Sequence, residues 1–110
     1  MEIREPKENG VVVLGLSGRV DASNAAVWEQ RILAVIAAGE KRLVLDCAQL
    51  QYMSSAGLRV LLVAAKRLSD DGKLGIAPLN SQIGEIFDIA GFSSIPQIYR
   101  TPGEALAAVQ

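Results

Sequence analysis

The sequence predicts an α/β protein with a mixed, mostly parallel sheet of four to five strands and about four helices. Apolar runs of strand length alternate with longer segments in which apolar residues recur every three or four positions. Strands separated by helices pair in parallel through right-handed crossovers. An Asn-Gly turn near the N-terminus adds an antiparallel hairpin. The length of 110 residues suits one domain that covers residues 1–110.

The N-terminal part predicts two strands around a turn. Residues 2–7 are expected to form a short edge strand, and Asn9-Gly10 is a strong hairpin signal. The continuous apolar run at 11–16 is long enough for a buried strand. Gly15 and Gly18 are expected to mark the end of this strand.

The first helix is expected to follow and to run to about Ala38. Asp21, Ser23 and Asn24 are all plausible N-caps for it. Its apolar positions recur at helical spacing: Ala25, Trp28, Ile32, Val35 and Ile36. Trp28 is expected to pack in the core, and an interface anchor is the alternative role for this aromatic residue.

The middle of the chain predicts a second buried strand at 41–46, then a loop, then a helix from the serine pair Ser54-Ser55 to about Leu68. If Ser54 is the N-cap, its oxygen would accept a hydrogen bond from the amide of Ala56 or Gly57. One side of this helix is expected to be buried: Leu58, Leu61, Leu62, Ala65 and Leu68. The other side is expected to face solvent: Arg59, Lys66 and Arg67.

The C-terminal third predicts four further elements: a strand at 73–77, a helix from Asn80 or Ser81 to Gly91, a short strand at 95–99, and a helix capped by Thr101 with Pro102 at its first position. Each helix is bounded by a residue type that commonly starts or ends helices.

Composition excludes several classes of function. The formal charge of −1 argues against a nucleic-acid partner, and no apolar run approaches a membrane span. The chain has no histidine, so the ordinary zinc sites and histidine-based triads are excluded. It also lacks the glycine-rich nucleotide-binding motifs. We therefore expect no enzymatic activity, no cofactor and no metal. The charged N-terminus is no signal peptide, which favours a cytoplasmic protein.

Five segments, in this order, resemble the STAS domain family of bacterial anti-sigma-factor antagonists: Gly18-Arg19-Val20-Asp21, Leu43-Val44-Leu45-Asp46, Tyr52-Met53-Ser54-Ser55-Ala56-Gly57-Leu58, Gly72-Lys73-Leu74 and Ala90-Gly91-Phe92. The resemblance covers nearly the whole chain. It implies a single STAS domain that works by partner switching. Such a protein binds an anti-sigma factor that is also a serine kinase, and a phosphatase reverses the modification. A monomer or a weak dimer is expected.

The resemblance also implies a phosphorylated hydroxyl at the start of the second helix. Ser55 is the first choice and Ser54 the second, and loss of modification is a third possibility. Ser54 stands where the family commonly has aspartate, and Ala56 stands where some members carry the modified hydroxyl. The alternative function is a STAS scaffold or an accessory subunit of a lipid-transport or stress-signalling complex, without phosphorylation.

Five residues are candidates for partner binding: Asp21, Ser54, Ser55, Gly57 and Arg59. Asp21 follows one strand and the serines follow another, and loops at the carboxyl ends of parallel strands gather at one edge. Asp21 could instead serve only as a helix N-cap. Gly57 either lets a partner approach or lets its own helix pack closely on a strand. Arg59 lies one helical turn from the serines.

Overall fold

The computed structural model describes residues 2–68, 72–77, 85 and 98–110. The elements in these ranges follow the predicted order: β1 (Glu2–Arg4), β2 (Lys7–Glu8), β3 (Val11–Val20), α1 (Ala25–Ala37), β4 (Arg42–Met53), α2 (Ser55–Arg67), β5 (Lys73–Ala77) and α3 (Pro102–Val109). The α/β class and the mixed sheet are confirmed. Apart from Glu85, which is helical, the helix predicted from Asn80 or Ser81 to Gly91 lies outside the described residues, so α3 is the helix predicted after Thr101. The strand predicted at 95–99 also lies outside them except for its last two residues, where Ile98 forms a parallel bridge with Ile76.

The sheet has the strand order β1-β3-β4-β5, with β2 also paired to β3. Strands β1 and β2 run antiparallel to β3, whereas β3, β4 and β5 run parallel to one another. Asn9 has a φ of 52° and Gly10 a φ of 79°, so the predicted hairpin turn is confirmed. The parallel pairing places the carboxyl ends of β3 and β4 side by side.

Both central strands are longer than the sequence predicted. Strand β3 continues through Gly15 and Gly18 to Val20, and β4 continues past Asp46 to Met53, so no loop separates Asp46 from the serine pair. The C-terminal halves of these strands pair with each other. The two paired segments are far apart in the sequence, so the local residue pattern could not predict this pairing. Residues that looked like a loop are therefore held in the sheet.

Two bulges interrupt the alternation of buried and exposed residues in β4. Gly15 pairs with Asp46 and Ser17 with Gln49, so β4 contains an extra residue between these pairs, and a second register shift follows Gly18. Each extra residue moves the later side chains to the opposite face. The first extra residue places Leu50 on the buried side, where simple alternation from Leu45 would not place it, and the second brings Met53 back to that side.

The main core lies between the sheet and the two helices α1 and α2. Its fully buried side chains include Leu14, Leu16, Trp28, Ile32, Leu43, Leu45 and Leu61. A smaller apolar cluster covers part of the opposite sheet face under α3: Val11, Val44, Ala77, Ala105 and Val109. Trp28 is completely buried, so the core role is correct and the interface-anchor alternative is wrong.

Leu62 corrects the prediction for α2, because its side chain is 51% exposed rather than buried. The buried stripe of this helix is centred on Leu61, together with Leu58 and Ala64. Successive helical residues are rotated by about 100°, so Leu62 falls on the flank of that stripe. The exposed positions of Arg59, Lys66 and Arg67 are as predicted.

Candidate partner-binding site

The carboxyl ends of β3 and β4 bring two candidate segments together at one edge of the sheet. Val20 and Met53 are the last paired residues of these strands. The backbone N–H of Ser54 donates a hydrogen bond of 2.9 Å to the carbonyl oxygen of Val20. Asp21, which follows Val20, and the serine pair, which follows Met53, are therefore neighbours in space.

Ser54 is the N-cap residue of α2, but it does not cap the helix in the predicted way. Its carbonyl accepts a hydrogen bond of 3.1 Å from the N–H of Leu58. Its Oγ is buried and has no hydrogen-bond partner among the described residues, so the expected bond from Ala56 or Gly57 is wrong. The bond to Val20 holds Ser54 in extended conformation at the end of β4, and the hydroxyl is turned inward.

Ser55 is the first residue of α2, and its side chain is exposed. The unpaired N–H groups and the positive dipole end of a helix lie at this point, and both favour a negative charge. A phosphate on Ser55 would therefore be compatible with the folded domain. Of the two serines, only Ser55 offers its hydroxyl to another protein.

Arg59 and Leu62 extend the exposed side of α2 from Ser55. The three residues are spaced at i, i+4 and i+7, so they lie on one stripe of the helix. All three are exposed, and Leu62 is one of two large hydrophobic side chains, with Val27, that are exposed among the described residues. We call Ser55, Arg59 and Leu62 the switch face. Sequence reasoning missed Leu62, although its spacing from Ser55 could have indicated it.

Asp21 stabilises the turn between β3 and α1 rather than capping the helix. Its Oδ1 accepts hydrogen bonds from the backbone N–H of Ser23 at 2.9 Å and from the Oγ of Ser23 at 2.5 Å. These bonds, with a smaller contribution from the charge of Arg19, lower the pKa of Asp21 below its usual value. Asp21 therefore presents a carboxylate near neutral pH. The N-cap residue of α1 is Asn24.

Gly57 is buried, and the structure supports its close-packing role. A Cβ at this position would lie 2.6 Å from Met53 Cγ and 2.9 Å from Val20 Cγ1. A residue with a side chain would therefore push α2 away from the ends of β3 and β4. Gly57 sets the position of the switch face but does not reach the surface.

Asp46 and Cys47 contribute to β4 and not to a reactive centre. Asp46 accepts a hydrogen bond of 3.0 Å from the N–H of Ala48, which braces the first bulge. Burial raises the pKa of Cys47 to about 12, so its thiol stays protonated and unreactive. Over the described ranges there is no group of three or more His, Cys, Asp or Glu side chains that could hold a metal ion.

No helix in the described parts of the chain has the length and apolar character needed to cross a lipid bilayer.

The chain is similar over nearly its whole length to known proteins of one family. The family model described as STAS domain matches residues 2–105. A Bordetella bronchiseptica protein, BtrV, named as a candidate anti-sigma factor antagonist, is 38% identical over 109 residues, which cover 98% of this chain and 94% of BtrV. The anti-sigma-F factor antagonist RsfB of Mycobacterium tuberculosis is 28% identical, with 93% and 84% of the two chains covered.

Among solved structures, an anti-sigma factor antagonist from Mycobacterium paratuberculosis superposes with a TM-score of 0.91 at 27% sequence identity. The superposition covers 98% of this chain and 92% of that chain.

Proposed function

The chain belongs to the STAS domain family, and from this premise we propose that it is an anti-sigma-factor antagonist that acts by partner switching. In this proposal residues 1–110 form one STAS domain. The unphosphorylated domain binds an anti-sigma factor that is also a serine kinase. Phosphorylation of Ser55 releases the complex, and a separate phosphatase restores the binding form.

The observation that carries the proposal is the contrast between the two serines. Ser55 is exposed at the start of α2, whereas the hydroxyl of Ser54 is buried without a partner among the described residues. The names of the relatives BtrV and RsfB support the class of partner. Together they support Ser55 as the proposed acceptor and the switch face as the surface that the kinase would cover.

The proposed modification is a phosphoryl transfer from ATP. Ser55 Oγ attacks the γ-phosphorus, the bond to the bridging oxygen breaks, ADP leaves, and a base of the kinase takes the hydroxyl proton. The product gains about 1.5 to 2 negative charges at pH 7. The helix N-terminus tolerates this charge in the unbound domain. A partner surface packed against Ser55 would have to desolvate the dianion, so the switch acts on the complex.

Intact-mass measurement tests the modification directly. We expect that incubation with ATP and each candidate anti-sigma kinase of the source organism adds one phosphate, which peptide mapping places on Ser55. Ser55→Ala should abolish the gain, and Ser54→Ala, the matched control, should retain it. Phosphate on Ser54 would overturn the assignment. If no kinase modifies the parent chain and it binds a transporter ATPase, the alternative role as a scaffold or accessory subunit would replace the proposal.

Leu62 provides a separate test of the surface. We expect Leu62→Asp to weaken binding to the anti-sigma factor by about 30-fold, because a central apolar contact of an interface is commonly worth about 2 kcal/mol. Val27→Asp is the matched control, because Val27 is 56% exposed but lies on α1, outside the switch face. Titration calorimetry of both variants would measure the difference. Equal affinities for the two variants would remove Leu62 from the interface.

A further inference from the structure

The side chain of Asn24 closes the loop that carries Asp21. Asn24 Oδ1 accepts a hydrogen bond of 2.9 Å from the backbone N–H of Asp21, and Asn24 Nδ2 donates one of 2.9 Å to the carbonyl oxygen of Arg19. The two bonded residues, Arg19 and Asp21, stand on either side of Val20. Asn24 therefore bonds to the backbone just before and just after Val20, the last residue of β3.

Val20 is also the residue that connects this loop to the serine pair. Its carbonyl oxygen accepts the hydrogen bond from the N–H of Ser54, the residue before Ser55. The chain of contacts thus runs from Asn24 through the two neighbours of Val20 to the start of α2. The loop and the switch face are linked by hydrogen bonds rather than by proximity alone.

Asn24 is the N-cap residue of α1, but its side chain makes no hydrogen bond to a backbone N–H group of that helix. Every residue of α1 lies in the described part of the chain. An N-cap bond usually contributes about 1 kcal/mol. A side-chain amide offers an acceptor oxygen and a donor nitrogen in one short planar group. Aspartate could replace the acceptor alone, and serine is too short to span both partners. Both the oxygen and the nitrogen of the Asn24 amide are bonded to the loop. This use of the side chain indicates a role other than helix capping.

We propose that Asn24 is a positioning residue that fixes the carboxylate of Asp21 relative to the hydroxyl of Ser55, so that the anti-sigma factor meets both as one surface. The inference rests on the proposed function. Asn24 does not contact the partner in this scheme, and it acts through Asp21. Without the two hydrogen bonds of the Asn24 side chain the backbone of Asp21 would be held less firmly, and the carboxylate, which accepts hydrogen bonds from Ser23, would move with it.

Asn24→Ser tests this role, because serine is as good an N-cap residue as asparagine and α1 should stay intact. We expect the affinity for the anti-sigma factor to fall about tenfold, as is common when one contact of an interface is lost. Asn24→Asp keeps the bond from the N–H of Asp21 but sets a carboxylate oxygen against the carbonyl oxygen of Arg19, so it should weaken binding at least as much. Circular dichroism at the temperature of the binding measurement would establish that both variants are folded.

A double-mutant cycle separates positioning from general stability. If Asn24 acts through Asp21, Asn24→Ser should have no further effect on affinity in a chain that already carries Asp21→Ala. Additive losses would overturn the inference, and so would an Asn24→Ser variant that binds as tightly as the parent. Failure of the parent chain itself to bind any anti-sigma factor would instead overturn the proposed function, and this inference with it.

Discussion

Ser55→Asp is expected to weaken the complex with the anti-sigma factor by about 100-fold, which corresponds to about 2.7 kcal/mol. Ser55 is exposed on the switch face, so a carboxylate there must be desolvated, or must face acidic groups, when the partner packs against it. At the first position of a helix the same charge is favourable in the unbound domain. The thermal midpoint should therefore not fall while the affinity does.

Ser55→Asn is the matched control for this change, because it has the shape of aspartate without the charge. We expect it to bind within a fewfold of the parent, and Ser55→Ala to bind like the parent while resisting phosphorylation. Surface plasmon resonance at two salt concentrations would measure the three variants. If Ser55→Asp binds as well as the parent, charge at this position does not control the complex.

Trp28→Ala is expected to lower the free energy of unfolding by about 3 to 5 kcal/mol. Trp28 is fully buried in the main core, where it belongs to the helix that follows the Asp21 loop. Natural domains have a total stability of about 5 to 15 kcal/mol, so the loss would be a large part of it. The variant should also bind the partner poorly at temperatures at which it is partly unfolded.

Urea unfolding followed by circular dichroism would measure this loss. Val27→Ala is the control, because Val27 is the residue just before Trp28 in α1 and is 56% exposed. Its effect should stay within about 0.5 kcal/mol, which is usual for surface positions. A loss below about 1 kcal/mol for Trp28→Ala would contradict the central role of this side chain in the core.

Features that depend on neighbouring residues were predictable. The Asn9-Gly10 turn has the expected positive φ values, and Thr101 accepts the capping hydrogen bond from the N–H of Glu104 at 3.1 Å. The start of α2 at Ser55 was also correct. Each of these depends on backbone conformations and hydrogen bonds within a few residues, and such preferences are present in any window of the chain.

Features that depend on distant residues were not predictable to the same degree. The extension of β4 to Met53 follows from its pairing with β3, across two bulges that break the alternation of apolar residues. The exposure of Leu62 depends on where the rest of α2 meets the sheet. In both cases the local pattern favoured a reasonable but different answer.

The sequence by itself determined the α/β class, the order of the described elements and the position of a serine pair at a helix start. Tertiary structure alone decided that Ser54 is turned inward while Ser55 is exposed, and that Asn24 bonds to the Asp21 loop instead of to its own helix. The physical reason is that a helix start is specified by nearby backbone groups, whereas the direction of a side chain there depends on which strand end lies beside it. For the serine pair that neighbour is Val20, which is more than thirty residues earlier in the chain.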